Sequence, residues 1–327
     1  MILKPEHREA TSRAPTLSVL ICTRNRADKL KRAVDSVLAN SFTDFELIVV
    51  DQSTDGKSKE LLATLDDSRL RYIPTNTVGV AKSRNVAARS SRAEIVVYTD
   101  DDCVCDREWL ASIYAEFAAD PTVLGVYGRV IPYGKHDGMI CPCINESTER
   151  LVLEGPAIPH LCLGGGNNMS FRKSVFRKAG LFLESLGPGT RLNHAEDTEF
   201  SFRVLWHRCK IVYSPVPVVQ HDKWLDGPGL AELNKGAVRG LGLVFLAYAL
   251  RFDRVAFVQL FKTAYYLLND KMAIGSVAVG LRYFTEGLAL GPLYRLKRPP
   301  RLLDRSPGAD RKASNIGFLP VEPRFPI

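Results

Sequence analysis

The 327-residue sequence lacks the marks of an exported or membrane-spanning protein. No uninterrupted apolar run reaches the roughly 20 residues that a membrane-spanning helix needs. The first apolar run, 17–22, is too short to direct export, and the polar residues 1–14 contain no apolar core of a signal peptide. These absences predict a cytoplasmic protein whose residues 1–15 are disordered.

Cysteine occurs in no pattern that would indicate disulfide bonds or a zinc site. The seven cysteines are an odd number without a disulfide framework, which fits a reducing compartment. The pairs Cys103/Cys105 and Cys141/Cys143 are separated by a single residue, whereas the ligands of structural zinc sites are usually about two to four residues apart. We therefore predict free thiols.

Glycine is missing where some nucleotide-binding folds would require it. The segment after the first predicted strand, TRNR at 23–26, contains no glycine-rich phosphate loop, which counts against a nucleotidyltransferase. The glycine run at 164–166 follows no predicted strand and does not form Gly-x-Gly-x-x-Gly, so it is not a dinucleotide fingerprint.

The net charge of +8 predicts an anionic partner, because 44 lysines and arginines outnumber 36 aspartates and glutamates. The excess is concentrated late in the chain, where it either contacts an anionic surface or forms a solvated tail. Nucleic acid is not the predicted partner, since this basic tail is separate from the aromatic residues. The late basic residues are Arg282, Arg295, Lys297, Arg298, Arg301, Arg305, Arg311 and Lys312.

Strand-like and helix-like segments alternate through the first half of the chain. Apolar runs predict strands over 17–23, 45–51, 69–74, 94–100 and 123–133. Helical periodicity predicts helices over 27–39, 57–65, 80–89 and 106–119. This alternation predicts an α/β fold with a Rossmann-like, mostly parallel sheet that is covered by helices on both faces.

Beyond about residue 228 the pattern becomes helical, with periodicity over 230–250, 254–268 and 273–290. The predicted parts are a catalytic domain at 16–228, an amphipathic helical region at 229–298 and a loose, basic, proline-rich tail at 299–327. The helices either cap the enzyme and form an oligomer interface, or lie on an anionic membrane surface. The basic residues that follow favour the second alternative, with peripheral attachment at the cytoplasmic face.

Polar residues follow three of the predicted strands, at 23–26, 51–55 and 100–102. In parallel sheets, ligands bind beyond the carboxyl ends of the strands. Three strands therefore deliver polar groups to one crevice, and this convergence predicts the functional site.

Three successive carboxylates, Asp100, Asp101 and Asp102, would repel one another unless a cation were bound. Mg²⁺ and Mn²⁺ prefer carboxylate and phosphate oxygens, so the cluster suits a metal held against a diphosphate. The alternative is an acidic turn that caps the next helix.

Two further segments carry polar groups that suit a nucleotide or a sugar. Gly79 opens a helix whose free N–H groups, together with Lys82 and Arg84, could bind phosphate. The alternative is a helix with a solvated basic face. Asn167 and Asn168 follow the glycine run and either line a sugar pocket or form a turn.

The order of these motifs resembles glycosyltransferase family 2, the inverting nucleotide-sugar glycosyltransferases with the GT-A fold. The resemblance covers roughly residues 16–222. It rests on an ordered set of short motifs: TRNR at 23–26, VD and STDG within 50–56, G and SRN within 79–85, DDD at 100–102, GNNM at 166–169 and ED at 196–197.

The resemblance implies a role for each motif in binding the donor. Asp51 would contact the nucleotide base, and Arg84 would lie near the base and the diphosphate. Ser53 is assigned to the same site. The remaining residues assigned to the nucleotide and substrate site are Thr23, Arg24, Asn25, Arg26, Lys82, Asp100, Asp101, Asn167, Asn168 and Glu196.

The resemblance also implies a metal site and a catalytic base. Asp100 and Asp102 would form the Asp-x-Asp element that, with His221, holds Mg²⁺ or Mn²⁺. Asp197 would be the base. The sequence departs from the family at Gln52, where members often carry a second acid, and this departure bears on which nucleotide is bound.

The predicted activity is transfer of a sugar from a nucleotide-diphosphate sugar, with UDP favoured, to an acceptor hydroxyl with inversion. The basic-aromatic motif Gln-x-x-Arg-Trp of processive synthases is absent, which favours transfer of single sugars. The acceptor is predicted to be a glycan or a lipid-linked molecule in polysaccharide or glycan biosynthesis. The alternatives are a sugar nucleotidyltransferase and a non-catalytic nucleotide-sugar-binding membrane scaffold.

Overall fold

The computed structural model describes residues 13–155, 164–250, 254–268 and 277–290. Within them one mixed nine-stranded sheet runs in the order β3-β2-β1-β4-β8-β6-β9-β5, and β7 also pairs with β9. The predictions for 1–12 and for the tail at 299–327 lie outside the described residues.

The first half of the sheet is parallel, as the alternating pattern predicted. Thr23 on β1 pairs with Asp51 on β2, and Cys22 pairs with Asp100 on β4, so these strands end at the same edge. The elements are β1 Leu17–Thr23, α1 Ala27–Leu38, β2 Phe45–Asp51, α2 Lys57–Ala63, β3 Leu70–Pro74, α3 Val80–Ser90 and β4 Ile95–Asp100.

The second half of the sheet is mixed rather than parallel, because β8 runs antiparallel to both β4 and β6. Helix α4 begins at Trp109, since the Asp106 carboxylate accepts the N–H of Glu108 in a turn before the predicted helix can start. The elements are β5 Cys103–Cys105, α4 Trp109–Ala119, β6 Val123–Pro132, β7 Leu151–Leu153, β8 Asn168–Arg172, α5 Ser174–Ala179, α6 Glu196–Trp206 and β9 Lys210–His221.

Both faces of the sheet are covered, which explains why its central strands are continuously apolar. On β1, Val19 packs into one hydrophobic cluster with α1 and α4. Its neighbour Leu20 packs into a second cluster with α3, α5 and α6. Alternate residues of one strand thus stabilise two separate layers of helices.

The helical region consists of α7 Gly227–Ala249, α8 Arg254–Leu268 and α9 Val277–Leu290. Helix α7 is packed onto the preceding part, because residues such as Phe245 share a hydrophobic cluster with Leu186 and Phe202. Among the described residues, no helix is both long enough and apolar enough to cross a membrane. The cytoplasmic location stays a prediction.

Two glycines let α7 approach the segment that leads into α6. A Cβ on Gly236 would lie 2.2 Å from Cε1 of His194, and one on Gly240 would lie 2.8 Å from Cβ of Ala195. Ala195 itself has a left-handed backbone with φ of 74°. Helix α7 therefore packs directly on the residues that precede the Glu196-Asp197 pair.

Candidate active site

A cleft of about 740 Å³ opens at the carboxyl ends of β1 and β4, where the sequence predicts a crevice. Its other walls come from 142–144, 164–167, 188–189, 193–198 and α7. The cleft brings together many of the predicted site residues: Thr23, Arg24, Arg26, Arg84, Asp100, Asp101, Asp102, Asn167, Glu196, Asp197 and His221.

Asp101, the middle carboxylate of the acidic cluster, is held by protein groups. Its Oδ2 accepts hydrogen bonds from Thr23 Oγ1 at 2.7 Å and from Arg26 Nε at 3.1 Å, and its Oδ1 accepts one from Arg26 Nη2. Burial raises its pKa to about 7, although the charge of Arg26 opposes the rise. Thr23 and Arg26, predicted to bind the substrate, are thus used to hold the acidic cluster together.

Asp102 faces His221 across a buried gap. Its Oδ1 lies 3.5 Å from His221 Nε2, and its Oδ2 accepts a hydrogen bond from Arg26 Nη1 at 2.9 Å. Burial would raise the pKa of Asp102, but His221 and the charge of Arg26 outweigh it and hold the pKa at about 2. Burial has the opposite effect on a histidine and would lower the pKa of His221, but the hydrogen bond and the charge of Asp102 raise that pKa above its usual value.

The ring of His221 is oriented by a second hydrogen bond. Its Nδ1 lies 2.9 Å from the carbonyl oxygen of Pro142, which can only accept, so Nδ1 carries the hydrogen. In the neutral ring, the Nε2 lone pair then points at the Asp102 carboxylate. A carboxylate oxygen and an imidazole nitrogen that face each other and line a cleft fit a divalent ion such as Mn²⁺.

The predicted metal ligands are brought together in part. Asp102, His221 and the buried thiol of Cys103 place ligand atoms within 4.8 Å of one another. Asp100 lies in the same cleft, but one of its oxygens is 3.3 Å from Arg84 Nη2. Cys103 belongs to the hydrophobic core, and burial raises the pKa of its thiol well above the usual value. A neutral core thiol is a poor ligand for Mg²⁺ or Mn²⁺.

Arg84 is buried between two acids instead of pointing freely toward a phosphate. Its Nη1 donates to Glu196 Oε1 at 2.9 Å, and its Nη2 approaches Asp100. A Cβ on Gly166 would lie 2.4 Å from Arg84 Nη2, so only glycine leaves room for this guanidinium. Gly166 of the glycine run is thus required for packing beside the cleft.

Asp197 stands at the amino end of α6 and lines the cleft. Its Oδ2 accepts the N–H of Gly166 at 2.9 Å, and its Oδ1 accepts the N–H of Thr198 at 2.7 Å. Oδ1 also accepts the hydroxyl of Thr198 at 3.4 Å, whereas Oδ2 retains a further lone pair for a substrate hydroxyl. The carboxylate is therefore fixed in position while remaining able to accept a proton.

A buried network anchors α6 behind Asp197. Arg203 donates two hydrogen bonds to the Glu199 carboxylate, at 2.8 and 2.9 Å, and Tyr248 on α7 donates a third at 2.7 Å. Such paired, charge-assisted contacts fix orientation as well as contribute energy. The network ties the orientation of α6 to α7.

Gln52 contributes to the site although the sequence marked it only as a departure from the family. Its Nε2 donates to Thr77 Oγ1 and to the carbonyl oxygen of Gly79, and its Oε1 accepts the N–H of Gly79. Gln52 thereby fixes the loop that leads into α3. Gly79 has φ of 124°, a conformation that favours glycine.

Five of the predicted site residues do not line the cleft: Asn25, Asp51, Ser53, Lys82 and Asn168. Asn168 faces the core, where its amide accepts from Trp109 Nε1 and donates to two carbonyl oxygens. Asn168 and Asn167 face different sides because β8 begins at Asn168 and successive strand residues face opposite ways. Its neighbour Asn167 lines the cleft, and its buried Oδ1 has no hydrogen-bond partner among the residues that the structure describes.

Asp51 and the residues near it stabilise the rim of the cleft. The Asp51 carboxylate accepts hydrogen bonds from Tyr72 Oη at 2.8 Å and from the N–H of Ser53 at 2.7 Å. Asn25 Oδ1 accepts the N–H of Thr54, and Ser53 Oγ accepts the N–H of Asn25. These contacts join the loops after β1 and β2 and hold the two loops in their conformation.

The sequence did not reveal that α7 forms one wall of the cleft. The lining side chains recur at helical spacing, so they share one face of the helix: Leu230, Leu233, Asn234, Ala237 and Leu241. This periodicity was visible in the sequence, but nothing in it indicated which surface the face contacts.

The raised pKa values of two acids in the cleft, Glu196 and Asp101, predict how the stability of the protein depends on pH. Burial and the charge of Asp197 raise the pKa of Glu196 to about 7, against the opposing charge of Arg84. The ordinary pKa of this carboxyl group is 4.5. At pH values between 4.5 and about 7, Glu196 is therefore protonated in the folded protein but ionised in the unfolded chain. The stabilisation that protonated Glu196 provides is therefore complete below pH 4.5 and is lost as the pH rises toward about 7.

We expect the urea midpoint to fall between about pH 5 and about pH 7 and Glu196→Gln to make that fall shallower. The slope should not vanish, because the raised pKa of Asp101 acts in the same direction. An unchanged slope in Glu196→Gln would mean that Glu196 is ionised throughout this range. Unfolding curves at several pH values measure the effect.

Comparison with known proteins agrees with the fold. The family model "Glycosyl transferase family 2" matches residues 18–178. A curated relative, glucosyl-dolichyl phosphate glucuronosyltransferase of Haloferax volcanii, is 27% identical over 124 residues, which are 36% of this chain and 38% of the relative. The chain spans less than two thirds of the length of the first curated relatives that it matches.

Two solved structures share the architecture. Mannosyltransferase PcManGT from Pyrobaculum calidifontis, in complex with GDP-Man and Mn²⁺, is 20% identical with a TM-score of 0.56, over 86% of this chain and 81% of that one. S. aureus TarS 1–349 in complex with UDP-GlcNAc is 15% identical with a TM-score of 0.53, over 86% and 91%. Together with the family match, this likeness assigns the chain to glycosyl transferase family 2, with a GT-A fold.

Proposed function

We propose that this protein is a metal-dependent, inverting glycosyltransferase that moves a sugar from a nucleotide-diphosphate sugar to an acceptor hydroxyl. The observation that carries the proposal is that one cleft contains the Asp102–His221 pair and the positioned carboxylate of Asp197. A metal-binding pair for the diphosphate and a base for the acceptor are the two groups that such a transfer requires.

The donor is proposed to lie along β1, β4 and the start of α3. Arg24 and the amino end of α3 at Val80 line this side of the cleft and supply positive charge and a helix dipole for phosphate. A divalent ion held by Asp102 and His221, with Asp100 nearby, would neutralise the charge that develops on the leaving diphosphate. UDP is the favoured nucleotide, although one structural neighbour was solved with GDP-Man.

The acceptor is proposed to enter between Asp197 and the wall formed by α7. Its hydroxyl would donate a hydrogen bond to the Asp197 carboxylate, which takes the proton as the oxygen attacks the sugar. Attack from the side opposite the diphosphate inverts the anomeric carbon. The leucines of α7 make this side of the cleft apolar and suit an acceptor with an apolar part, such as a lipid-linked glycan in polysaccharide or glycan assembly.

The test is a calorimetric titration with UDP, GDP and dTDP, each with and without Mn²⁺. We expect one nucleotide to bind tightly only with the metal, and Asp102→Asn to weaken that binding at least about tenfold. Asp66→Asn, at an exposed acid far from the cleft, is the matched control and should bind normally. Equal binding with and without Mn²⁺ would contradict the metal-dependent proposal.

Product analysis separates this function from the two alternatives. A sugar nucleotidyltransferase would release pyrophosphate, whereas the proposed reaction releases a nucleoside diphosphate. A non-catalytic scaffold would bind the donor but would not turn it over. The positioned Asp197 favours the transferase, because neither alternative requires a carboxylate held by two backbone N–H groups at the cleft.

A further inference from the structure

Helix α8 presents an exposed apolar stripe on its outer side. The exposed fractions are 44% for Phe257, 49% for Val258, 75% for Phe261 and 58% for Tyr265. Phe257, Phe261 and Tyr265 follow one another at intervals of four, and Val258 lies three positions before Phe261, so the four residues share one face of the helix. Three aromatic rings and a valine left exposed on one helix are unusual for a protein surrounded only by water.

The opposite side of α8 is already occupied by the protein. Ala256, Gln259 and Thr263 are buried, with exposed fractions of 0%, 2% and 4%, and α8 packs against α7 and α9. A slight rearrangement of the described helices would therefore not bury the stripe, because α8 already packs on them with its other side.

The charges on the same face have one sign. Arg254 and Lys262 are exposed on α8, and the helix sequence RVAFVQLFKTAYYLL contains no acid. Cations beside exposed aromatic rings match the boundary between lipid headgroups and acyl chains, where aromatic side chains are favoured and basic ones meet anionic lipid.

A second copy of the chain fits the stripe poorly. A two-fold dimer would place α8 against the same helix of its partner and would bring Lys262 of both copies into one interface. No acid on α8 could pair with this cation. Such an arrangement gathers like charges, which a protein interface avoids and an anionic bilayer attracts.

We propose that the stripe formed by Phe257, Val258, Phe261 and Tyr265, with Arg254 and Lys262, docks the protein on the surface of an anionic membrane. Helix α8 would lie in the plane of the interface with its aromatic rings among the headgroups. The cations would contact anionic lipid, so binding weakens as salt screens the charges.

The experiment is flotation of the full chain with phosphatidylcholine vesicles that contain or lack phosphatidylglycerol. We expect binding to the anionic vesicles, reduced by added salt, and a loss of roughly tenfold or more in partitioning for Phe261→Ser. Val216→Ser is the matched control, because Val216 is 63% exposed on β9, outside the helical region, and should not affect binding.

Three outcomes would overturn the proposal: no binding by the native chain, normal binding by Phe261→Ser, or a dimer in sedimentation equilibrium that Phe261→Ser dissociates. The side chain of Phe261 makes little contact with the protein, so Phe261→Ser should keep the native circular dichroism spectrum and melting temperature. The test also distinguishes docking from the proposed activity, because nucleotide binding in solution is measured without vesicles.

Discussion

Asp197→Asn is expected to abolish sugar transfer while leaving donor binding intact. The amide has almost the same shape, and its single oxygen can still accept one of the two N–H groups that the carboxylate binds, that of Gly166 or that of Thr198. It cannot take the proton of an acceptor hydroxyl, and general-base catalysis typically contributes about 10²- to 10⁴-fold. We therefore expect a loss of roughly that size in kcat, with a Kd for the nucleotide close to that of the unaltered protein.

The measurements are product formation at saturating donor and a calorimetric Kd for the nucleoside diphosphate with Mn²⁺. Asp35→Asn, which alters an exposed acid on α1, is the matched control and should retain full activity. Turnover by Asp197→Asn within a few-fold of the native rate would show that another group takes the proton. A lost nucleotide site would instead indicate a structural defect.

Arg84→Met is expected to cause the largest loss of stability in the cleft, about 3–5 kcal/mol. Arg84 and Glu196 are 5% and 7% exposed, and their side chains meet at 2.9 Å. Removing the guanidinium leaves Glu196 buried beside Asp197 and Asp100 without its cation. The variant must either hold an unpaired charge or bind a proton, and both lower the free energy of unfolding at neutral pH.

The double variant Arg84→Met/Glu196→Gln separates the ion pair from the lost packing. Because the double variant buries no unpaired charge at this position, we expect it to recover part of the stability that Arg84→Met loses in urea unfolding. Arg89→Met, on the same helix but exposed, is the matched control and should change the free energy of unfolding little. A double variant no more stable than the single one would assign the loss to packing alone.

The location of the site was predictable because it depends on features that lie close together in the sequence. Buried strands that end in polar residues, separated by helices, require a parallel sheet with those residues at one edge. Thr23, Asp51 and Asp100 do end neighbouring strands, as the pattern predicted. The resemblance to a known family added the order of the motifs beyond residue 160.

The individual contacts were not predictable, because they join residues far apart in the chain. Arg26 holds Asp101 over a separation of 75 residues, and Arg84 meets Glu196 over 112. A basic residue in a motif can bind a phosphate or neutralise a neighbouring acid, and only its position in three dimensions decides between the two. For the same reason, the sequence could not show that Asn168 turns into the core while Asn167 lines the cleft.

The glycines of α7 have a consequence for cooperativity. Gly236, Gly240 and Gly242 lie inside the helix, where each lowers the intrinsic helix propensity by about 1 kcal/mol relative to alanine. The helix therefore depends on its contacts with the rest of the protein, and the left-handed backbone at Ala195 lies against it in return. Because α7 and the loop before Asp197 pack on each other, we expect the ordering of one to favour the ordering of the other. Whatever binds and rigidifies α7 would also reduce the entropy still to be lost when the acceptor meets Asp197.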